Sequence, residues 1–333
     1  MPALQDKCRR HMRAFCCSEL GKRLYGRLHR RAEDPSGHRI KRGPSGQSLC
    51  ERSTALATYG GNPYNSETLV QAGALLPDPV YSIVIPAYNE EARLPATLEK
   101  VLAFVHEQRW AAEVLVVNDG SGDATVDIVR RAAAREPALR LIENPGNRGK
   151  GYSVRNGMLQ ARGSIVLFSD ADLSAPISEA PKLFAALAGG ADVAIGSRWM
   201  QAELQTRRQS WLRQFLGRVF NLLARVLLGL RFHDTQCGFK AFTREAAQAI
   251  FPLQKIERWG FDPEILFLAR KLGYTVEEVP VLWGHSGGER IHPLRDGTKM
   301  LLEMLRIRSY AIRGDYDTGG AAEKRAQPAK KAS

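Results

Sequence analysis

The sequence predicts an α/β fold: a mostly parallel, wound sheet flanked by helices, with amphipathic helices on its C-terminal side. Three observations carry this. Five short apolar runs recur between residues 80 and 198, segments of helical periodicity separate most of them, and four of the runs end in Asp, Asn, Ser or Arg. Strands that alternate with helices wind a parallel sheet, and such sheets bind ligands at the carboxyl ends of their strands.

In order, YSIVIP from Tyr81 to Pro86 reads as a buried first strand, and EARLPATLEKVLAFV follows with Leu94, Leu98, Val101, Leu102 and Val105 at helical spacing. EVLVVND is the second strand, ending in Asn118-Asp119 before a GSGDATVDIVRRAAA turn and helix. LRLIEN is the third and leads into the loop PGNRGKGYS, Pro145 to Ser153. That loop is neither a Walker motif, which would need glycine at Asn144, nor a GxGxxG turn. Its glycines, with Arg148 and Lys150, can still approach an anionic ligand closely. IVLFSDAD is the fourth strand and DVAIGSR the fifth, ending at Ser197-Arg198.

The fourth strand carries the chemistry. Ile165 to Phe168 stops abruptly in Asp170-Ala171-Asp172. Unpaired carboxylates are costly in a core, so the two acids belong at the open edge. Spaced by one small residue, they can present oxygens to Mg²⁺ or Mn²⁺ while a nucleotide diphosphate fills other positions. Tyr88, Glu90 and Asp119 follow other strands and collect on the same edge.

The chain of 333 residues carries a formal charge of +13. Residues 1–79 hold 13 Lys/Arg and 7 Asp/Glu, so 13 − 7 = +6 lies there and +7 in the rest. Both parts favour an anionic partner. Nucleic acid is excluded as that partner, because a polyanion-binding face would not be edged with carboxylates. Residues 1–79 read as a basic, largely disordered extension, 80–313 as the catalytic domain, and 314–333 as a disordered tail. Cys8, Cys16, Cys17 and Cys50 lie in the extension, and the lone domain thiol, Cys237, points to a reducing, cytoplasmic setting. No apolar run reaches the roughly 18 residues of a membrane span, and no h-region of a signal peptide is present.

Trp211 to Leu230 has a polar stripe of Gln214, Arg218, Asn221 and Arg225, with apolar residues over most of the remaining circumference. That breadth suits a helix lying on an anionic membrane surface. GTKMLLEMLRIRSYAIR has similar character, and a helix buried between domains or in a dimer stays open as the alternative.

Taken together, IPAYNEE, VVNDGSGDAT, NRGKGYSVRNGM, SDADLS, IGSRW, DTQCGFKAF and ERWGFDPEI resemble the family 2 glycosyltransferases of GT-A fold, and within them the dolichyl-phosphate β-glucosyltransferases. The resemblance covers roughly residues 81–308. It implies a UDP-sugar donor, usually UDP-glucose, a polyprenyl phosphate acceptor (dolichyl or undecaprenyl), and transfer with inversion. It also implies that Pro86, Ala87, Tyr88 and Glu90 surround the nucleotide, with Tyr88 stacking on the uracil and Asp119 accepting from the base. Asp170 and Ala171 would face the ribose and metal region, with Gly149 and Lys150 near the donor and Asp172 as main metal ligand. Asn118 and Leu282 depart from the family pattern.

For the acceptor, chemistry offers two readings. A lipid phosphate is already ionised, so it needs cations rather than a base, and Arg198, Arg208, Arg213 and Lys240 are the candidates. A sugar hydroxyl would need Asp234 to take its proton. Asp172, Asp234 and Arg198 are therefore the candidate catalytic residues. Trp259, Trp283, His285 and His292 could each line a sugar pocket, but the tryptophans read better as core aromatics, the histidines have no partner at metal-ligand spacing, and Cys237 reads as structural.

Overall fold

The computed structural model describes residues 78–200, 211–284 and 293–317, with the side chains of 211–219 and 293–296 outside that description. Expectations for residues 1–77, Arg208, His285 and His292 thus lie outside the described residues, as does the tail beyond residue 317.

The five predicted strands form: β1 Tyr81–Ala87, β2 Ala112–Asn118, β3 Leu139–Glu143, β4 Ile165–Ser169 and β5 Val193–Ser197. Helices α1 Leu94–Gln108, α2 Thr125–Ala133, α3 Lys150–Gln160 and α4 Ala180–Gly189 come between or beside them. Next come α5 Trp211–Leu228, β6 Phe239–Thr243, α6 Arg244–Ile250, α7 Phe261–Lys271, β7 Val276–Pro280 and α8 Pro293–Ile312. The sheet has seven strands in the order β3-β2-β1-β4-β6-β5-β7. All neighbours are parallel except β6, which runs antiparallel to both β4 and β5. β6 and β7 are absent from the sequence reading. Lys240 interrupts the apolar pattern of one, and Glu277-Glu278 that of the other.

Strand pleat divides the core. Ile83, Ile85, Val114, Val116 and Leu167 face one side with Leu94 and Leu98 of α1 and Leu183 of α4. Val84, Leu115, Val117, Val166 and Phe168 face the other with Val154 of α3 and Ile265 and Leu268 of α7. β1, β2, β4 and β5 are therefore covered on both faces, which explains their apolar runs, while the edge strand β3 is only partly buried. The carboxyl ends of β1, β2 and β4 consequently open on one edge.

α5 and α8 pack on each other and on the second of these cores, through Phe220, Ala224 and Leu228 of α5 and Met304 and Ile307 of α8. The polar stripe of α5 is not simply a surface face. Asn221 donates to the His233 carbonyl at 2.6 Å and Arg225 to the Phe232 carbonyl at 3.2 Å, so both hold the segment after the helix. Among the described residues, no helix is long and apolar enough to cross a membrane.

The ordered domain also runs past the expected limit at residue 313. Tyr316 is 1% exposed, and its hydroxyl donates to Glu264 Oε1 at 2.6 Å. An aromatic ring that fills the core belongs to the fold rather than to a loose tail.

Candidate active site

Two loops build the rim. After β1, Asn89 adopts a left-handed φ of 52°, its N–H donates to Ser121 Oγ at 3.0 Å, and its Oδ1 accepts from Gly122 N at 2.9 Å. The Asp119 N–H donates to the Ala87 carbonyl at 2.9 Å, which ties the ends of β1 and β2. Pro86 and Ala87 sit in this tie, and Tyr88 projects from it with 42% of its surface exposed. That exposure fits a stacking platform. Glu90 is more committed, because its carboxylate takes both arms of the Arg93 guanidinium at 2.7 Å.

Asp119 is not the open acceptor the sequence suggests. It is 3% exposed and accepts from Gly149 N at 2.7 Å, Arg148 N at 3.0 Å and Asn144 Nδ2 at 2.9 Å. Its oxygens are occupied by the loop before α3, so the structure gives it a positioning role. The loop is tight: Gly149 has φ 111°, and a Cβ there would stand 2.6 Å from the Glu257 carbonyl. Neither strain nor crowding admits a side chain.

The clamped loop delivers Lys150 to the acidic strand end. Lys150 Nζ lies 2.5 Å from Asp170 Oδ1, a close ion pair. Burial disfavours the ammonium, but Asp170, Asp262 and Asp172 outweigh it and hold Lys150 above the usual lysine value. Burial likewise pushes the Asp170 carboxyl up, and Asp172 and Asp262 add to this against Lys150. Asp172 accepts from both N and Oγ of Ser174, at 2.9 and 2.8 Å, across a left-handed Leu173 of φ 48°. Ala171 is buried, and its carbonyl accepts from Thr97 Oγ1 at 2.5 Å. Asp119, Lys150, Asp170 and Asp172 therefore share one rim.

Sequence reasoning missed two members of this cluster and favoured the core for a third. Asp262, at the start of α7, faces Lys240 and lies within electrostatic reach of Lys150 and Asp170. Gly238 presses on Asp170 so closely that a Cβ would stand 2.0 Å from Oδ2. Trp259, expected in the core, is 47% exposed with Lys150 Nζ 5.5 Å from its ring centroid. The signals available were an acid directly after Gly260-Phe261 and a glycine between two apolar neighbours, both too common to single out.

Lys240 is corrected as an acceptor-phosphate cation. It is fully buried, with Nζ 2.5 Å from Asp262 Oδ1 and 2.6 Å from the Cys237 carbonyl, so it cannot reach a lipid. Asp234 is corrected as a general base. It is wholly buried and accepts from Arg198 Nε at 2.6 Å, Arg198 Nη2 at 2.8 Å, and the N–H groups of Arg198 and Gln236 at 3.1 Å. Burial alone would raise its carboxyl, but the Arg198 charge and hydrogen bonds bring it below the usual range. A carboxylate so stabilised is a poor proton acceptor. Arg198, in turn, lies 5.6 Å from the Trp283 ring centroid at the end of β5. Trp283 is buried, as expected. Burial pushes the Cys237 thiol up to about 12, which keeps it protonated and fits a structural role. Arg208 lies outside the described residues, and the side chain of Arg213 does too.

Against this geometry, residues 82–251 match the family described as glycosyl transferase family 2. The chain belongs to that family. It is 38% identical over 239 residues to the dolichyl-phosphate beta-glucosyltransferase of Drosophila melanogaster, covering 68% of this chain and 73% of that one. The Dictyostelium discoideum protein of the same name is 36% identical over 245 residues, with 69% and 75% covered. This glycosyltransferase also shares its fold with glucosyl-3-phosphoglycerate synthase from Mycobacterium tuberculosis in complex with Mn²⁺, UDP-glucose and phosphoglyceric acid. The TM-score is 0.53 at 19% identity, over 69% of this chain and 79% of that one.

Proposed function

We propose that this glycosyltransferase moves glucose from UDP-glucose to dolichyl phosphate with inversion at the anomeric carbon. The observation that carries the reading is the cationic lysine held by an Asp119-clamped loop over Asp170 beside Asp172. A diphosphate placed there meets Lys150 and the loop N–H groups, and Tyr88 offers a face to the base. The names of the relatives support glucose and dolichyl phosphate.

Among the described residues, no three His, Cys, Asp or Glu side chains converge as a complete metal site. The local charge still suits a cation, since Asp170, Asp172 and Asp262 stand against Lys150 and Lys240. Asp170 and Asp172 would hold Mg²⁺ or Mn²⁺, which supplies neutralisation of the departing diphosphate.

The acceptor reading follows from Asp234. A phosphate oxygen attacks already ionised and needs no base, whereas a hydroxyl acceptor needs one that the Arg198 pair withholds. Arg198 and Asp234 instead fix the wall of the acceptor side. We place the enzyme peripherally on the cytosolic membrane face, supported by exposed Leu222 at 59% and Val226 at 72% on α5.

The test is a panel of radiolabelled nucleotide sugars with dolichyl phosphate. Label from UDP-glucose should enter the organic phase as an acid-labile product. Label that stays in water, or that enters from another donor only, would overturn the reading.

A further inference from the structure

A second cationic concavity lies away from the acidic rim. It is a cleft of about 540 Å³ lined by Arg225, Gly229, Arg231, His233 and Arg270. Three guanidiniums and an imidazole share this lining with no carboxylate among them. Like charges gathered in a concavity repel one another, and they focus a positive potential that favours an anion.

The fold holds these groups in place. Arg225 donates through Nη2 to the Phe232 carbonyl at 3.2 Å, and Arg270 through Nη1 to the Gly229 carbonyl. Each bond uses a backbone acceptor and only part of a five-donor fork, so neither charge is neutralised. Glu278, the nearby acid, is not among the lining residues but pairs with His233, so the three guanidiniums carry the positive charge of the cleft. Its Oε2 accepts from His233 N at 2.9 Å and lies 3.0 Å from His233 Nδ1, while Oε1 accepts from Asp234 N. Arg231 is exposed.

The cleft is not part of the donor site. Arg270 sits eight residues along α7 from Asp262, about 12 Å at the rise of a helix. None of its lining residues touches Asp170, Lys150 or Asp234 through a side chain in the contacts described above.

We propose that this cleft is a second, non-catalytic site for a phosphate monoester. Three guanidiniums can grip the oxygens of one dianion from different directions, which is the geometry arginine serves best. The phosphate can come from a lipid headgroup, since Leu222 and Val226 are exposed on the same helix as Arg225, or from a soluble phosphate. The site is independent of glucose transfer.

The experiment uses the full chain, saturated with UDP so that the donor site is occupied. One arm titrates inorganic phosphate by calorimetry. The other floats the protein with phosphatidylcholine vesicles, with and without phosphatidic acid. Wild type should bind in at least one arm, and Arg231→Glu should weaken that binding by about tenfold or more while Arg231→Lys restores part of it. Binding only to phosphatidic acid assigns the lipid source, and binding to inorganic phosphate assigns the soluble one. Arg231→Ala serves as the second variant should the reversal perturb folding. Glucose transfer by both variants to a short-chain acceptor in detergent should match wild type, whichever acceptor reading holds. Equal binding by wild type and Arg231→Glu in both arms, or no binding in either, would overturn the proposal.

Discussion

Replacing Asp119 with alanine should both loosen the fold and empty the donor site. The side chain accepts from Gly149 N, Arg148 N and Asn144 Nδ2, and the Gly149 donor is buried. A hydrogen bond to a charged acceptor is worth about 1.5–3 kcal/mol, and an abandoned buried donor costs about 1–3 kcal/mol. Deleting the carboxylate also removes its own desolvation cost, and Arg148 N can find water. A net loss of about 3–5 kcal/mol follows for the variant. For a domain of this size that corresponds to a fall in melting temperature of roughly 6–20 °C. Thermal unfolding by circular dichroism reads the stability, and calorimetric titration with UDP reads the site. The reasoning is refuted if Asp119→Ala melts within about 1 °C of wild type and binds UDP equally well.

Further outcomes test other parts of the site. Gly238→Ala should abolish transfer with little loss of secondary structure, because its Cβ would stand 2.0 Å from Asp170 Oδ2; wild-type turnover in a glucose-transfer assay would contradict the contact. Arg198→Met removes the guanidinium partner of buried Asp234 and leaves it only the backbone donors of residues 198 and 236, which should cost about 3–5 kcal/mol at neutral pH in urea unfolding. In wild type, the folded-state value of Asp234 is depressed, so the pair stabilises above the unfolded carboxylate value of about 3.9 and fades as pH falls through the lower folded value. The gap between variant and wild type should therefore narrow below about pH 4, and a constant gap would remove the pair as its cause. Tyr316→Phe should lower stability by about 1 kcal/mol through the lost bond to Glu264, whereas no change would return residue 316 to the tail.

Much of this was legible in the sequence. β1, β2, β4 and β5 announce themselves because both faces of the sheet are covered there, which leaves long apolar runs with few polar residues to blur them. The acids at the ends of β2 and β4, and the basic loop before α3, are visible for the complementary reason that polar groups must lie where the strands stop. β6 was hidden because it contains a lysine, Lys240, neutralised by Asp262, 22 residues away. Its antiparallel insertion between β4 and β5 depends on long-range pairing that no local pattern encodes. The same distance explains the errors at the site. A residue's type can suggest a contact to the nucleotide base, a proton acceptor or a phosphate cation, but Asp119, Asp234 and Lys240 each spend that chemistry on a partner remote in the chain.

The central claim is that Lys150, delivered by its clamped loop, grips the donor diphosphate beside Asp170. Titrating UDP into Lys150→Met and into wild type in the presence of Mn²⁺ tests it most directly. The variant should bind at least about tenfold more weakly, the loss of one charge-assisted contact, while keeping its melting temperature to within a few degrees. Equal UDP affinity in the two proteins would contradict the assignment of this rim as the donor site.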